Sequence, residues 1–301
     1  MPRTAGGLRT DPTSRLSQLQ QQHPEWQAWI GLLAIAEQSS QGGEWNTALS
    51  EPDLVTESSS PLDDAPLLHR RSLHVDLREI HRLLGKLAAA AANGPIEGAT
   101  SLDQYRPSEA EALDLVSAAA VEDHDRIQAL AARRGLNAGA LATVAHLAAC
   151  PLLRSCGKQL ESSVPPSWQR GYCPVCAAWP TLAERRGLDR SRRLRCGRCS
   201  TQWEVPWLQC IYCGERNHER LGSLEADGQG ELLKVETCTT CKGYLKSIAS
   251  LQGFPAFELL LQDLETVEFD LVALDRGFAR PGHRGFILEL HIIDHASRPS
   301  L

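Results

Sequence analysis

No run of eighteen or more apolar residues occurs in the 301-residue chain, so no membrane-spanning helix is expected from the sequence. The stretch Met1–Arg15 has no apolar h-region and no twin arginine, which argues against a secretory leader. There is also no excess of basic residues. Residues 1–165 carry 14 Lys+Arg against 20 Asp+Glu, and residues 166–301 carry 17 of each. The net charge of −6 therefore arises wholly in the N-terminal half, and the balance gives no support for a general nucleic-acid binder.

What the chain does have is cysteine in close pairs. Eight of its ten cysteines form Cys173/Cys176, Cys196/Cys199, Cys210/Cys213 and Cys238/Cys241. One Cys-x-x-Cys pair is a weak signal. Four within 70 residues point to two tetrahedral metal centres with four thiolates each. A two-residue spacer lets the backbone turn so that both sulfurs face one ion, and two such turns close a cage. Pairing in sequence order (first with second, third with fourth) gives two separate ribbons, with the link between Cys199 and Cys210 as a joint. A cross-braced arrangement stays open. Gly197, Gly214 and Gly243 suit the left-handed turn of a knuckle, whereas the first pair is followed by Ala177, so its turn is expected to differ. A closed four-thiolate site has no free coordination position, so it is structural or carries electrons and is not hydrolytic.

The N-terminal half reads as an all-helical bundle of five to seven helices. The expected helices include Ser14–Gln22, one after Pro24 with Trp26, Trp29, Ile30, Leu33 and Ala36 as an inward stripe, and Val75–Ala92, stopped by Asn93-Gly94-Pro95. Ser108 opens another as a capping box through Val121. Ile127–Arg134 and Ala138–Cys150 follow, the last ending near Pro151. Gln38–Pro66, rich in Ser, Gly, Pro and acids, reads as a long connection. His74 and His81 are read as solvated or capping residues, and Cys150 and Cys156 as small buried ones.

Val164-Pro165-Pro166 marks a change of texture. The expected organisation is a helical domain over 1–165, a first four-Cys module over 166–208, and a second with a C-terminal tail over 209–301. The fold class is α+β, a helical bundle followed by two rubredoxin-like or zinc-ribbon modules with short strands. Thr201–Pro206, Leu232–Thr237, Tyr244–Ser250 and Phe286–Ile293 read as strands, and Ala256–Leu264 and Asp270–Leu274 as helices. Between the first two knuckles Arg185, Arg186, Arg190, Arg192, Arg193, Arg195 and Arg198 crowd together. They could meet phosphates, meet an acidic protein surface, or form a solvated loop. A thiol redox protein using the pairs is the other alternative, weakened by the lack of a βαβ context.

Gly171-Tyr172-Cys173-Pro174-Val175-Cys176, Leu194-Arg195-Cys196 with Cys199 and Trp203, Cys210–Gly214, and Cys238-Thr239-Thr240-Cys241 with Tyr244-Leu245-Lys246 together resemble the FdhE family of formate dehydrogenase accessory proteins. Asp263-Leu264-Glu265-Thr266, Leu271-Val272-Ala273 and Gly277-Phe278 are similar to that family's ending, and Pro66-Leu67-Leu68 is a weaker echo. The resemblance implies a cytoplasmic, non-enzymatic maturation factor that binds the catalytic subunit of a molybdenum or tungsten formate dehydrogenase. It also implies iron in rubredoxin-like sites, with zinc as the alternative, and a redox-sensitive role. Carried over, the ligands are Cys173, Cys176, Cys196 and Cys199 for one ion and Cys210, Cys213, Cys238 and Cys241 for the other. A homodimer is left open. The arginine cluster is the first surface where a client would be sought.

Overall fold

A computed structural model describes residues 12–46, 49, 64–225 and 232–295. These divide between two compact units. One takes its residues from Thr10–Ser60, Leu68–Gln159 and Leu288–Leu301, the other from Pro61–Leu67 and Leu160–Ile287. Mixed helices and strands, with both cysteine groups in the strand-bearing part, make the α+β class plain.

The first unit holds α1 (Pro12–Gln22), α2 (Gln27–Gln41), α3 (Leu77–Ala92), α4 (Glu109–Ala120), α5 (His124–Arg134) and most of α6 (Ala138–Leu160). Local chemistry sets their starts. Asp76 accepts from the Arg78 N–H, Ser108 from Glu111 and Asp123 from Arg126, each satisfying a donor the first helical turn leaves over. Gly135, at φ 64°, closes α5 in the left-handed conformation glycine adopts without cost. Ile30, Leu84, Leu87, Leu115, Val116, Leu141 and Val144 form the core.

Four local expectations need amendment. The unit is not helical throughout: β1 (Arg71–Val75) pairs in parallel with β8 (Leu290–Asp294), Leu73 opposite Ile292. Leu73 and Val75 point inward with period two, a pattern too short to stand out before the strong periodicity of α3. His74 therefore sits on β1, outside the helix expected over Val75–Ala92, which begins at Leu77. Trp29 is exposed, and the buried residues of α2 are Ile30, Leu32 and Ala36. The expected connection after Gln38 begins later, because α2 runs to Gln41 and a 3-10 turn follows at Gly43–Trp45. Trp45 anchors that turn, buried, with its indole N–H donating to the Ser39 carbonyl at 3.1 Å. The rest of the connection, residues 47–48 and 50–63, lies outside the described residues.

Helix α6 also runs past its expected end, through Pro151 to Leu160. An interior proline costs about 3 kcal/mol. Leu152, Leu153 and Cys156, all fully buried beyond it, supply apolar burial that offsets this, at about 2 kcal/mol per side chain. With its 3-10 extension this segment, Ala138–Ser163, is the one helix among the described residues long and apolar enough to cross a membrane, although 67% of its most apolar window is buried inside the protein.

The second unit is built on one six-stranded sheet. Its strands are β2 (Leu182–Arg186), β3 (Ser191–Arg195), β4 (Gln202–Glu204), β5 (Leu221–Glu225), β6 (Leu233–Cys238) and β7 (Tyr244–Ser250), in the spatial order β4-β3-β2-β7-β6-β5. All neighbours are antiparallel except β2 and β7, which run parallel with Ala183 opposite Ser247. Helices α7 (Ala256–Glu265) and α8 (Val267–Asp275) pack on it. Leu182, Ile248 and Leu259 form one apolar cluster, and Val235, Tyr244 and Ala273 another. The parallel β2–β7 pairing makes the two cysteine-bearing hairpins parts of one sheet rather than separate ribbons.

Candidate metal centres

Each cysteine pair sits where strands leave the chain little choice of direction. Cys173 and Cys176 precede β2, and Cys196 and Cys199 fill the turn from β3 to β4. Cys210 and Cys213 precede β5, and Cys238 and Cys241 join β6 to β7. All four turns share one backbone pattern. The first cysteine of each pair donates its N–H to the carbonyl five residues on: Cys173 to Ala178, Cys196 to Thr201, Cys210 to Glu215 and Cys238 to Gly243, at 2.8–3.0 Å. The residue after the second cysteine is left-handed in every case, at φ 65° for Ala177, 66° for Ser200, 76° for Gly214 and 59° for Lys242.

This corrects the sequence expectation about the glycines. Gly214 alone fills the left-handed position, and the Ala177 turn matches the other three. Gly243 serves space instead. A Cβ there would lie 2.5 Å from the Tyr212 ring. Gly171 does the same more severely, since its Cβ would fall 1.7 Å from the Ile211 carbonyl oxygen. The backbone before the first knuckle therefore lies directly against the third.

The turns bring the first pair to the second and the third to the fourth. Within Cys173, Cys176, Cys196 and Cys199 the Sγ atoms all lie within 4.8 Å of one another, as they do within Cys210, Cys213, Cys238 and Cys241. The near separations are 3.4 Å (Cys173–Cys199) and 3.5 Å (Cys176–Cys196) in the first group. They are 3.6 Å (Cys210–Cys241) and 3.8 Å (Cys213–Cys238) in the second. A tetrahedral ion with metal–sulfur bonds of about 2.3 Å sets sulfurs roughly 3.8 Å apart. Both groups therefore have the dimensions of a four-sulfur cage and could each hold one metal ion.

The electrostatics agree. Burial pushes the Cys173 and Cys210 thiols up, and the Cys241 thiol up to about 11. Hydrogen bonds from the Cys173 and Cys176 thiols pull Cys196 well down. Sulfurs this close do not all ionise by themselves, and a central cation removes the obstacle. The N–H groups of Val175 and Gly243 point at Cys173 Sγ and Cys241 Sγ, each at 3.4 Å.

The two groups differ in cover. Cys173, Cys176, Cys196 and Cys199 are all buried to within 2% of full burial. Cys210 and Cys238 are buried, but Cys213 and Cys241 are exposed. An aromatic bridge links the groups. Tyr172 meets Trp179 edge-on, and Trp179 meets Tyr212 edge-on with ring centroids 5.0 Å apart. The Trp179 indole donates to the His283 carbonyl at 2.7 Å. These aromatics carry no spacing signal, so sequence reasoning passed over all but the two tyrosines inside the knuckle phrases.

The arginine cluster is divided between the surface and the interior. It forms the β2–β3 hairpin, and Arg185, Arg192 and Arg195 are buried. Arg195 and Arg186 pair with the fully buried Glu184, which also accepts from the Phe254 N–H at 3.2 Å and from the Ser250 hydroxyl. Arg192 reaches Glu236 at 2.6 Å and the carbonyls of Pro206 and Gln209, and Arg193 reaches Glu204 at 3.2 Å. The hairpin uses its arginines to tie strands and loops together. The buried Arg185, Arg192 and Arg195 are therefore not available to a client or a phosphate, whereas Arg190 is exposed and Arg186, Arg193 and Arg198 are half-buried. Cys150 and Cys156 lie buried in α6, and neither joins a metal-type cluster among the described residues.

The family model for the FdhE C-terminal domain matches residues 208–287. An FdhE homologue from Stutzerimonas stutzeri is 34% identical over 122 residues, covering 37% of this chain and 39% of that protein. FdhE of Escherichia coli O127:H6 is 32% identical over 124 residues, covering 40% and 38%. The matched stretch thus spans about two-fifths of these curated relatives. A homologue from Rhizobium meliloti extends the match to 203 residues at 24% identity, 66% of this chain and 63% of the relative. In fold, the chain is similar to the crystal structure of the FdhE protein from Pseudomonas aeruginosa, with a TM-score of 0.56 at 23% identity, covering 92% of this chain and 94% of that one. The chain is thus similar to FdhE proteins in sequence over residues 208–287, and its fold is similar to that of an FdhE protein along nearly its whole length.

Proposed function

We propose that this protein is a cytoplasmic, non-enzymatic accessory factor in the maturation of a formate dehydrogenase, and that it binds the catalytic subunit of that enzyme. The supporting observation is the pair of four-sulfur groups on one sheet, the second of which lies inside the stretch that matches the FdhE C-terminal domain. Cys173, Cys176, Cys196 and Cys199 would hold one ion, and Cys210, Cys213, Cys238 and Cys241 the other. A bound ion would cross-link strands and, if it is iron, add one-electron chemistry that zinc lacks. All four coordination positions would be filled by the chain's own sulfurs, which would leave no open place for a substrate or a reactive water. The ten free cysteines fit a reducing compartment.

Iron is the ion carried over from the family resemblance. Metal analysis and visible spectra of anaerobically purified protein decide it: a colourless protein with two zinc ions removes the redox-sensitive role and leaves the accessory role standing. The accessory role is tested by co-purification with the formate dehydrogenase catalytic subunit and by a deletion strain. No association together with wild-type formate dehydrogenase activity in the deletion would sink it.

A further inference from the structure

The two cages have the same backbone and nearly the same sulfur spacing, yet their accessibility differs sharply. The first is enclosed, with Cys173 at 0%, Cys176 at 2%, Cys196 at 0% and Cys199 at 1% of full exposure. Val175, Ala177, Ala178 and Leu194 beside its ligands are equally buried. The second lies toward the β5 edge of the sheet and has one closed and one open side. Cys210 and Cys238 face inward, while Cys213 and Cys241 are exposed together with their neighbours Gly214, Thr240 and Lys242. Two hydrogen bonds brace the open side. Glu215 accepts from the Thr240 hydroxyl at 2.8 Å, tying the third knuckle to the fourth, and the Thr239 N–H donates to the Arg220 carbonyl at 2.9 Å.

From this asymmetry we infer that the second cage is an exchange site, at which a small-molecule thiolate reaches the ion through the Cys213–Cys241 side while the first cage keeps its ion. The inference rests on the reading of both cages as metal centres and adds which of them is open. The step is a ligand exchange with no change in oxidation state. Cys213 or Cys241 gives up its bond to the ion as the incoming sulfur forms one, and the released thiolate takes a proton from water. Exposed Arg216, Arg220 and Lys242 stand near the rim with Glu215 and Glu219, a balance that favours an anionic visitor. In the first cage no sulfur is open to such an approach, so exchange there requires the sheet itself to open.

The experiment uses the full chain in its metal-loaded form. Metal content is measured first, and release is then followed with the chromogenic chelator 4-(2-pyridylazo)resorcinol, with and without glutathione, while iodoacetamide labelling is mapped by mass spectrometry. The expected result is two equivalents at the start. One is then released roughly tenfold or more faster than the other, glutathione accelerates only that one, and labelling appears at Cys213 and Cys241 before any of Cys173, Cys176, Cys196 or Cys199. Release of both equivalents in one phase, or first labelling within Cys173–Cys199, overturns the inference and leaves the metal reading intact. Protein that carries no metal overturns both. Cys213→Ser with Cys241→Ser should abolish the fast phase and keep the slow one. The wild-type kinetics and labelling decide the matter even if that variant does not fold.

Discussion

Lys246 Nζ lies 2.6 Å from Asp270 Oδ2 and 2.7 Å from Asp263 Oδ1, and none of the Lys246 side chain reaches solvent. Arg280 meets the same two carboxylates at 3.0 and 3.1 Å, and the Tyr244 hydroxyl donates to Asp270 at 2.7 Å. The network fastens α7 and α8 to β7, the strand that follows the fourth knuckle. Removing one partner of a buried pair costs about 3–5 kcal/mol, because the remaining charge is left uncompensated. Lys246→Met is expected to lower the stability of the sheet unit by about that amount, read as a shift in the urea midpoint.

The same network sets an acid limit. Burial alone would push the Asp270 carboxyl up, but the Lys246 hydrogen bond and the Arg280 charge outweigh it and hold the group below its usual range. A carboxyl lowered by folding contributes stability that is complete above its unfolded pKa of about 3.9 and is lost as pH falls through the folded value. Asp270→Asn should therefore flatten the part of the stability–pH curve below about pH 4. In Lys246→Met the folded value rises toward the unfolded one, so the loss of stability on acidification should be smaller than in the wild type. Identical acid limbs for all three proteins would rule the network out as their source.

The knuckle backbone yields a prediction of opposite sign. Ser200 is left-handed, and its buried hydroxyl has no hydrogen-bond partner among the described residues. A non-glycine residue there costs about 1 kcal/mol, so Ser200→Gly should raise stability by about 0.5–1 kcal/mol, with metal content unchanged. Gly171→Ala should do the reverse, since the new methyl would meet the Ile211 carbonyl. Thermal unfolding of the two variants separates a glycine position chosen for conformation from one chosen for room.

Much of this architecture was legible from spacing alone. Four Cys-x-x-Cys pairs in order are a local signal, because each knuckle is closed by bonds within six residues. Helix starts were legible for the same reason, as with Ser108 and Glu111. Relations that join distant segments were hidden. Nothing in Arg71–Val75 announces a partner some 219 residues on at Leu290–Asp294. Nor does a run of arginines announce that Arg185, Arg192 and Arg195 face inward, because charge runs are solvated by default and are buried only when a partner such as Glu184 or Glu236 arrives from elsewhere.

That inward orientation is itself testable. If Arg195 is a strut within the sheet, Arg195→Met should cost about 3 kcal/mol or more, since it strips Glu184 of its most buried partner. Arg193→Ala, which breaks a half-exposed pair with Glu204, should cost less than about 1 kcal/mol. A client-binding or phosphate-binding patch would give a different pattern. Both variants would then fold normally, and both would weaken capture of the partner in proportion to charge removed. Chemical denaturation beside a pull-down on the same two variants distinguishes the cases. A stable Arg195→Met that loses its partner would show that Arg195 serves the partner and not the sheet.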